Sequence, residues 1–110
     1  MRKISLISSS RADYGIMKNL IIKLQKDKDI KFNFYPTGSL LQNRFGNNLN
    51  LLKKDKIKIT KKINIDLLSD KNLNVGLAVS AGIKKFTKEF QKNKPDILVI
   101  LGDRYEIFSV

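Results

Sequence analysis

The chain has 110 residues, 42% of them hydrophobic, which is enough for one modest core and too few for two complete domains. It contains neither cysteine nor histidine, which excludes a disulfide framework, a thiolate metal site, a cysteine nucleophile and imidazole acid–base chemistry. Lys and Arg outnumber Asp and Glu by 22 to 10, a formal charge of +12, yet the excess is eighteen Lys against four Arg, and these scattered lysines read as a surface coat rather than a nucleic-acid interface.

The first residues, Met1-Arg2-Lys3 and then Ile4 to Ile7, form too short an apolar run for a secretory signal or a membrane span, so a soluble, cytoplasmic protein is expected. Lys3 to Ser8 predicts a buried strand that runs into the turn Ser9-Ser10-Arg11-Ala12-Asp13-Tyr14-Gly15. Ser10 and Asp13 have the S-x-x-D spacing of a capping box. Behind them Met17, Leu20, Ile21 and Leu24 make one apolar helical stripe, with Lys18, Lys23 and Lys26 on the other side.

Ile30 to Tyr35 alternates as a second strand and stops at Pro36-Thr37-Gly38. Leu40 to Lys54 predicts one or two short helices with Leu49, Leu51 and Leu52 facing inward. Lys58 to Ile65, with Ile57, Ile59, Ile63 and Ile65 spaced mostly by two, predicts a third strand at a lysine-rich edge. Asn74 opens a longer helix whose inner face holds Val75, Val79, Ile83, Phe86 and Phe90, with Ala78 and Gly82 allowing close approach to the sheet. Asn93-Lys94-Pro95 ends it, and Asp96 leads into Ile97 to Leu101, an uninterrupted apolar run of the kind buried on both faces of a parallel sheet.

Strands alternating with helices imply βαβ units in an open, doubly wound parallel sheet. A new helix begins around Ile107-Phe108 and is cut at Val110 without a cap, so the sequence predicts the first part of a longer polypeptide.

Ligands of such sheets bind beyond the carboxyl ends of the strands. Two of the four arginines lie there, each beside a carboxylate and an aromatic: Arg11 with Asp13 and Tyr14, and Arg104 with Asp103, Tyr105 and Glu106. A guanidinium at a helix N-terminus suits a diphosphate, although simple pairing of these arginines with Asp13, Asp103 or Glu106 explains the pattern equally well. Asp103, at the exit of an apolar strand, fits proton transfer in a low-dielectric crevice and fits a helix N-cap as well. The chain lacks G-x-x-x-x-G-K-[ST], and G-x-G-x-x-G after its first strand, which argues against a P-loop NTPase and the usual dinucleotide fingerprint.

Together, Ser9 to Gly15, Thr37-Gly38 with Phe45-Gly46-Asn47, and Lys94-Pro95-Asp96 leading to Leu101-Gly102-Asp103-Arg104-Tyr105-Glu106-Ile107-Phe108-Ser109-Val110 resemble the hydrolysing UDP-N-acetylglucosamine 2-epimerases of bacterial sialic acid synthesis. Relatives of that family include an enzyme acting on nucleotide-linked bacillosamine in legionaminic acid synthesis. The resemblance implies an α/β fold, a Rossmann-like doubly wound parallel sheet that forms part of the N-terminal domain of a GT-B architecture. Residues 1–110 would be that incomplete domain, and the nucleotide-binding C-terminal domain would lie outside them.

The activity implied is cleavage of UDP-N-acetylglucosamine to UDP and N-acetylmannosamine through a glycal, with the isolated piece silent. Asp103 would be the catalytic carboxylate and Arg11 would hold the diphosphate. Arg104 would order Asp103 or touch substrate, and Ser10 and Asp13 would shape the first loop. No metal and no cofactor are implied, and the partners are a UDP-sugar substrate and further copies of the parent enzyme. The sequence departs from the family where Ser39-Leu40-Leu41 replaces a histidine-bearing T-G-x-H stretch. Its Arg-Ala-Asp, in place of Arg-Pro-Glu, favours the hydrolysing or bacillosamine branch. The alternatives are a GDP-linked bacillosamine 2-epimerase, a GT-B glycosyltransferase and, from another class, a basic nucleic-acid-binding module.

Overall fold

Five consecutive buried positions, Ile4 to Ser8, make β1 (Arg2–Ser8) the middle strand of a parallel sheet. The computed structural model describes residues 2–41, 48–63 and 72–100, and the side chains at positions 11, 13, 39, 48, 49, 72–75 and 78 fall outside that description. β1 pairs along its whole length with β2 (Ile30–Pro36), from Arg2↔Ile30 to Ser8↔Pro36. On its other edge it pairs with β3 (Ile97–Ile100), from Ile4↔Ile97 to Ile7↔Ile100, giving the order β2-β1-β3.

Because successive strand residues face opposite sides, the sheet builds two cores. Leu6 and Phe34 meet Tyr14, Met17 and Ile21 of α1 (Arg11–Lys26), together with Leu40, Leu52 and Ile57. Ile7 and Tyr35 meet Ile63 and Phe86 on the opposite face, with Phe90 and Leu98 packed beside them. α1 and the short α2 (Asn48–Lys54) therefore cover one face and α3 (Asn72–Lys92) the other, which is the expected doubly wound arrangement. Among the described residues no helix is long and apolar enough to cross a membrane.

Ser10 precedes α1, and its carbonyl accepts the first intrahelical bond, from the Tyr14 N–H at 3.0 Å. Met17 and Ile21 are buried as the spacing predicts, but Leu20 is largely exposed and Lys18 is half-buried, so the stripe is narrower than expected. Lys23 and Lys26 lie in the last turn, where cations complement the helix dipole. Asp27 then closes a turn by accepting the Asp29 N–H at 2.9 Å.

α2 ends in a Schellman turn. The Ile57 N–H donates to the Leu52 carbonyl at 3.0 Å and the Lys56 N–H to the Lys53 carbonyl at 3.1 Å. Leu52 and Ile57, joined by this turn, both enter the first core. Lys56 holds the left-handed position, φ 59°, where glycine is usual. A side chain costs about 1–2 kcal/mol in that conformation, and glycine's extra freedom in the unfolded chain returns part of the difference. Lys56→Gly is therefore expected to stabilise the domain by about 0.5–1 kcal/mol, read as a higher urea midpoint. An unchanged or lower midpoint would contradict this account.

Over the described part of the segment expected as a third strand, Lys58–Ile65, no strand is formed. Residues 58–62 are irregular, Ile63 makes one isolated parallel bridge to Thr37, and positions 64 and 65 lie outside the described residues. The segment does run beside β2, but side chains occupy ladder positions. Thr60 Oγ1 accepts the Phe34 N–H at 3.0 Å, while Gln25 donates to the Lys56 carbonyl and accepts the Lys58 N–H at 2.8 Å. The alternating isoleucines fixed which side faces inward without producing a strand.

α3 begins at Asn72, two residues before the predicted start. Phe86 is buried and Phe90 packs on it, ring centroids 5.7 Å apart. Ile83, expected inward, is 51% exposed, whereas Gly82 and Glu89 are buried. The helix phase runs through 82, 86 and 89, which leaves Ile83 on the flank. The Val75 and Ala78 side chains fall outside the description.

After α3, Asp96 clips β3 to β1. Its N–H donates to the Lys3 carbonyl and its carboxylate accepts the Lys3 N–H, both at 2.8 Å. β3 forms where the sequence predicts, but Ile97 is 40% and Ile100 45% exposed, so burial on both faces is not observed. Among the described residues β3 has β1 as its strand neighbour, and an edge strand keeps one flank open.

Candidate functional site

The sheet's carboxyl edge collects three strand exits. β1 ends at Ser8, and Ser9 is fully buried at the start of the turn into α1. β2 ends at Pro36, and the turn that follows is stitched to the first one. The Thr37 N–H donates to the Ser8 carbonyl at 3.0 Å, and the Leu40 N–H to the Ser9 carbonyl at 3.2 Å. Gly38, at φ 57°, supplies the left-handed residue that lets the chain fold back into the 3-10 turn Gly38–Leu41. Thr37 Oγ1 donates to the Ile63 carbonyl at 2.6 Å, so the segment outside β2 is anchored at the same rim.

On the other side of β1, β3 runs parallel and its last residue, Ile100, pairs with Ile7. The chain moves from β1 outward to β2, then returns across the opposite face through α3 to β3. The strand order thus reverses at β1, and a crevice between β1 and β3 at this edge is the usual ligand position of an open α/β sheet.

Of the sequence-predicted site residues, Ser10 lies at this rim, half-buried, immediately before α1. Ser8 Oγ makes a long contact, 3.4 Å, with its carbonyl. The backbone of Arg11 and Asp13 forms the first turn of α1 there, ahead of the first intrahelical bond, while their side chains lie outside the described residues. Backbone N–H groups in that turn point out of the helix end, an arrangement that favours anions. Asp103 and Arg104 lie outside the described residues, as does the rest of 101–110.

Two polar constellations behind the rim were not read from the sequence. Tyr14, buried with its ring in the first core, donates to Asp55 Oδ2 at 2.7 Å, and Lys18 Nζ lies 3.1 Å from Asp55 Oδ1. The Tyr14 hydrogen bond, with help from Lys18, holds the Asp55 carboxyl below its ordinary range; burial and the neighbouring carboxylate push the Tyr14 hydroxyl up. A lone acid among Lys53, Lys54 and Lys56 was the available signal.

On the other face, Glu89 is 4% exposed and accepts Tyr35 Oη and Asn93 Nδ2, each at 2.7 Å, with Lys61 Nζ at 3.6 Å. Burial drives its carboxyl up, yet the two hydrogen bonds and the Lys61 charge outweigh it and leave the carboxyl below its usual value. The signal here was an acid in phase with the apolar stripe of a lysine-rich helix.

Residues 22–110 match the model of the family described as UDP-N-acetylglucosamine 2-epimerase. The chain is 39% identical over 109 residues to the GDP/UDP-N,N'-diacetylbacillosamine 2-epimerase (hydrolyzing) of Campylobacter jejuni, covering 99% of this chain and 28% of that protein. It is 33% identical over 110 residues to the polysialic acid biosynthesis protein P7 of Escherichia coli, covering 100% of this chain and 28% of that one. Its fold is similar to that of UDP-GlcNAc 2-epimerase from Neisseria meningitidis, solved bound to UDP-GlcNAc, with a TM-score of 0.74 at 20% identity over 99% of this chain and 28% of that one. The chain thus spans a little over a quarter of the length of these relatives.

Proposed function

Since the chain belongs to the UDP-N-acetylglucosamine 2-epimerase family, we propose that it supplies one wall of the active site of a hydrolysing 2-epimerase acting on a nucleotide-linked 2-acetamido sugar. The observation that carries this reading is the meeting of strand exits at one rim: the Ser8–Arg11 and Thr37–Leu40 turns joined by backbone hydrogen bonds, and Ile100 paired beside them. The catalytic unit is a polypeptide of the relatives' length that carries this segment as its N-terminal part, and 110 residues alone release no nucleotide.

In this reading the first turn of α1 and the Arg11 guanidinium hold the diphosphate, whose charge grows as it departs. Asp103, three residues after Ile100 in the sequence, handles the proton at C2 of the sugar. The C2–H bond breaks and the C1–O bond breaks, with its electron pair leaving on the nucleotide diphosphate. A C1=C2 double bond remains. Water then adds hydroxyl at C1 and a proton at C2 from the opposite face, so that substrate and water give free nucleotide and inverted sugar. Arg104 orders Asp103 or contacts substrate, and Ser10 and Asp13 shape the first loop. Water is the only co-reactant, so the scheme needs neither metal nor cofactor.

Of the sugars considered, N,N'-diacetylbacillosamine is the better supported, by the 39% identity to the Campylobacter jejuni enzyme named for it; N-acetylglucosamine is the second. Incubating the full-length enzyme with UDP-N-acetylglucosamine and with the UDP- and GDP-linked bacillosamine derivatives in heavy water tests both points. Release of nucleotide with deuterium at C2 of the free sugar is expected. Transfer of sugar to an added acceptor, or no nucleotide release from any of the three, overturns the reading.

A further inference from the structure

Asp55 stands where its own helix does not favour it. It follows α2 directly, its N–H donating to the Leu51 carbonyl at 3.0 Å, so a carboxylate is held against the negative end of the helix dipole. The turn that places it is strained as well, with Lys56 at φ 59°. The same turn caps α2 and carries Ile57 into the core, but the carboxylate gains nothing from its own helix, and the result is that Asp55 is delivered, largely buried, beneath the first two turns of α1. There Tyr14 and Lys18, one helical turn apart, close on its two oxygens at 2.7 and 3.1 Å.

The clamp reaches the rim through Tyr14. Its N–H makes the first hydrogen bond of α1, to Ser10, and its ring shares a core with Leu40, whose own N–H is bonded to Ser9. Loss of the Tyr14 hydroxyl therefore releases the segment that carries the Ser10–Arg11 step, while the sheet keeps its ladders.

We infer that Asp55 is a positioning residue: by accepting the Tyr14 hydroxyl and pairing with Lys18, it fixes the N-terminal turns of α1 against the rim in the geometry that receives the nucleotide diphosphate. This rests on the reading given under Proposed function.

The experiment compares Tyr14→Phe, Asp55→Ala and Asp55→Asn in the full-length enzyme, with Ile21→Val, a core substitution lower in the same helix, as the control for general destabilisation. Tyr14→Phe and Asp55→Ala are expected to raise KM for the nucleotide sugar about ten-fold, with kcat little changed. Asp55→Asn, whose carbonyl still accepts the Tyr14 hydroxyl, recovers most of that loss, and Ile21→Val leaves KM unaltered. Amide hydrogen exchange gives an independent readout: the amides of Tyr14 to Lys18, the first hydrogen-bonded ones of α1, exchange about ten-fold faster in Tyr14→Phe, with the centre of α3 unchanged. An active wild type whose KM and exchange at these amides are unmoved by Tyr14→Phe overturns the inference alone. A wild type that releases no nucleotide overturns the functional reading, and the inference falls with it.

Discussion

Replacing Asp103 by asparagine in the full-length enzyme is expected to lower turnover about 1,000-fold, within the range that a positioned acid or base contributes, while nucleotide binding stays within a few-fold. Asparagine has nearly the shape of aspartate and caps a helix equally well, so the substitution separates the two readings of this residue. As an N-cap alone, Asp103 would tolerate the change with turnover intact. As the group that handles the C2 proton, it cannot, because an amide neither takes up nor returns a proton near neutral pH. Single-turnover kinetics and nucleotide binding, measured on the same preparation, distinguish loss of chemistry from loss of binding. Turnover within ten-fold of wild type would remove the catalytic assignment.

The second large effect concerns stability. Tyr35→Phe deletes one oxygen from a fully buried side chain and leaves the Glu89 carboxylate without its 2.7 Å donor. Hydrogen bonds to charged groups are worth about 1.5–3 kcal/mol, and a loss of that size at pH 7 is expected in urea unfolding. Asn93 and Lys61 remain as partners, which keeps the loss at the scale of one bond. A double-mutant cycle with Glu89→Gln would return a coupling near zero if the contact contributed nothing.

The pH profile has a definite sign on each side. Glu89 in the folded chain lies below its ordinary value of 4.5. Its stabilising contribution is therefore complete above that pH and fades as acid carries the solution through the lower folded value. Tyr35 is raised above its ordinary value of 10.0, by burial first and then by the Glu89 charge. Its contribution is complete below pH 10.0 and is lost on the alkaline side. Tyr35→Phe should thus differ most from wild type between these limits and converge on it beyond both. A difference independent of pH would show that the hydroxyl acts only by filling space.

Much of the architecture was legible because its determinants are local. The apolar run of β1, the Pro36-Thr37-Gly38 stop, the stripe through Met17 and Ile21 and the Asn93-Lys94-Pro95 break each act within a few residues. The misreadings arose where a remote or chemically different partner decides. Ile57, Ile59 and Ile63 carry strand periodicity, but the Thr60 and Gln25 side chains take the Phe34 and Lys58 N–H groups that a continuous ladder requires. Hydrophobicity alone points Ile83 inward, whereas helix phase brings Glu89 inward because Tyr35 and Asn93 satisfy it there. At the candidate site, sequence located the Ser10 loop correctly at a strand exit. The Tyr14 and Asp55 partnership stayed hidden because 41 residues separate its members.

The clip between Lys3 and Asp96, 93 positions apart, bears on the order in which the domain is made. β1 finds its first neighbour as soon as α1 has been traversed, but its second edge has no β3 to receive until nearly the whole segment has left the ribosome. Closure over so long a stretch is slow, and during synthesis a half-paired central strand waits with its amides and carbonyls open. Arg2 and Lys3, charged and exposed at the head of that strand, are the kind of residues that discourage a neighbouring nascent chain from joining there first.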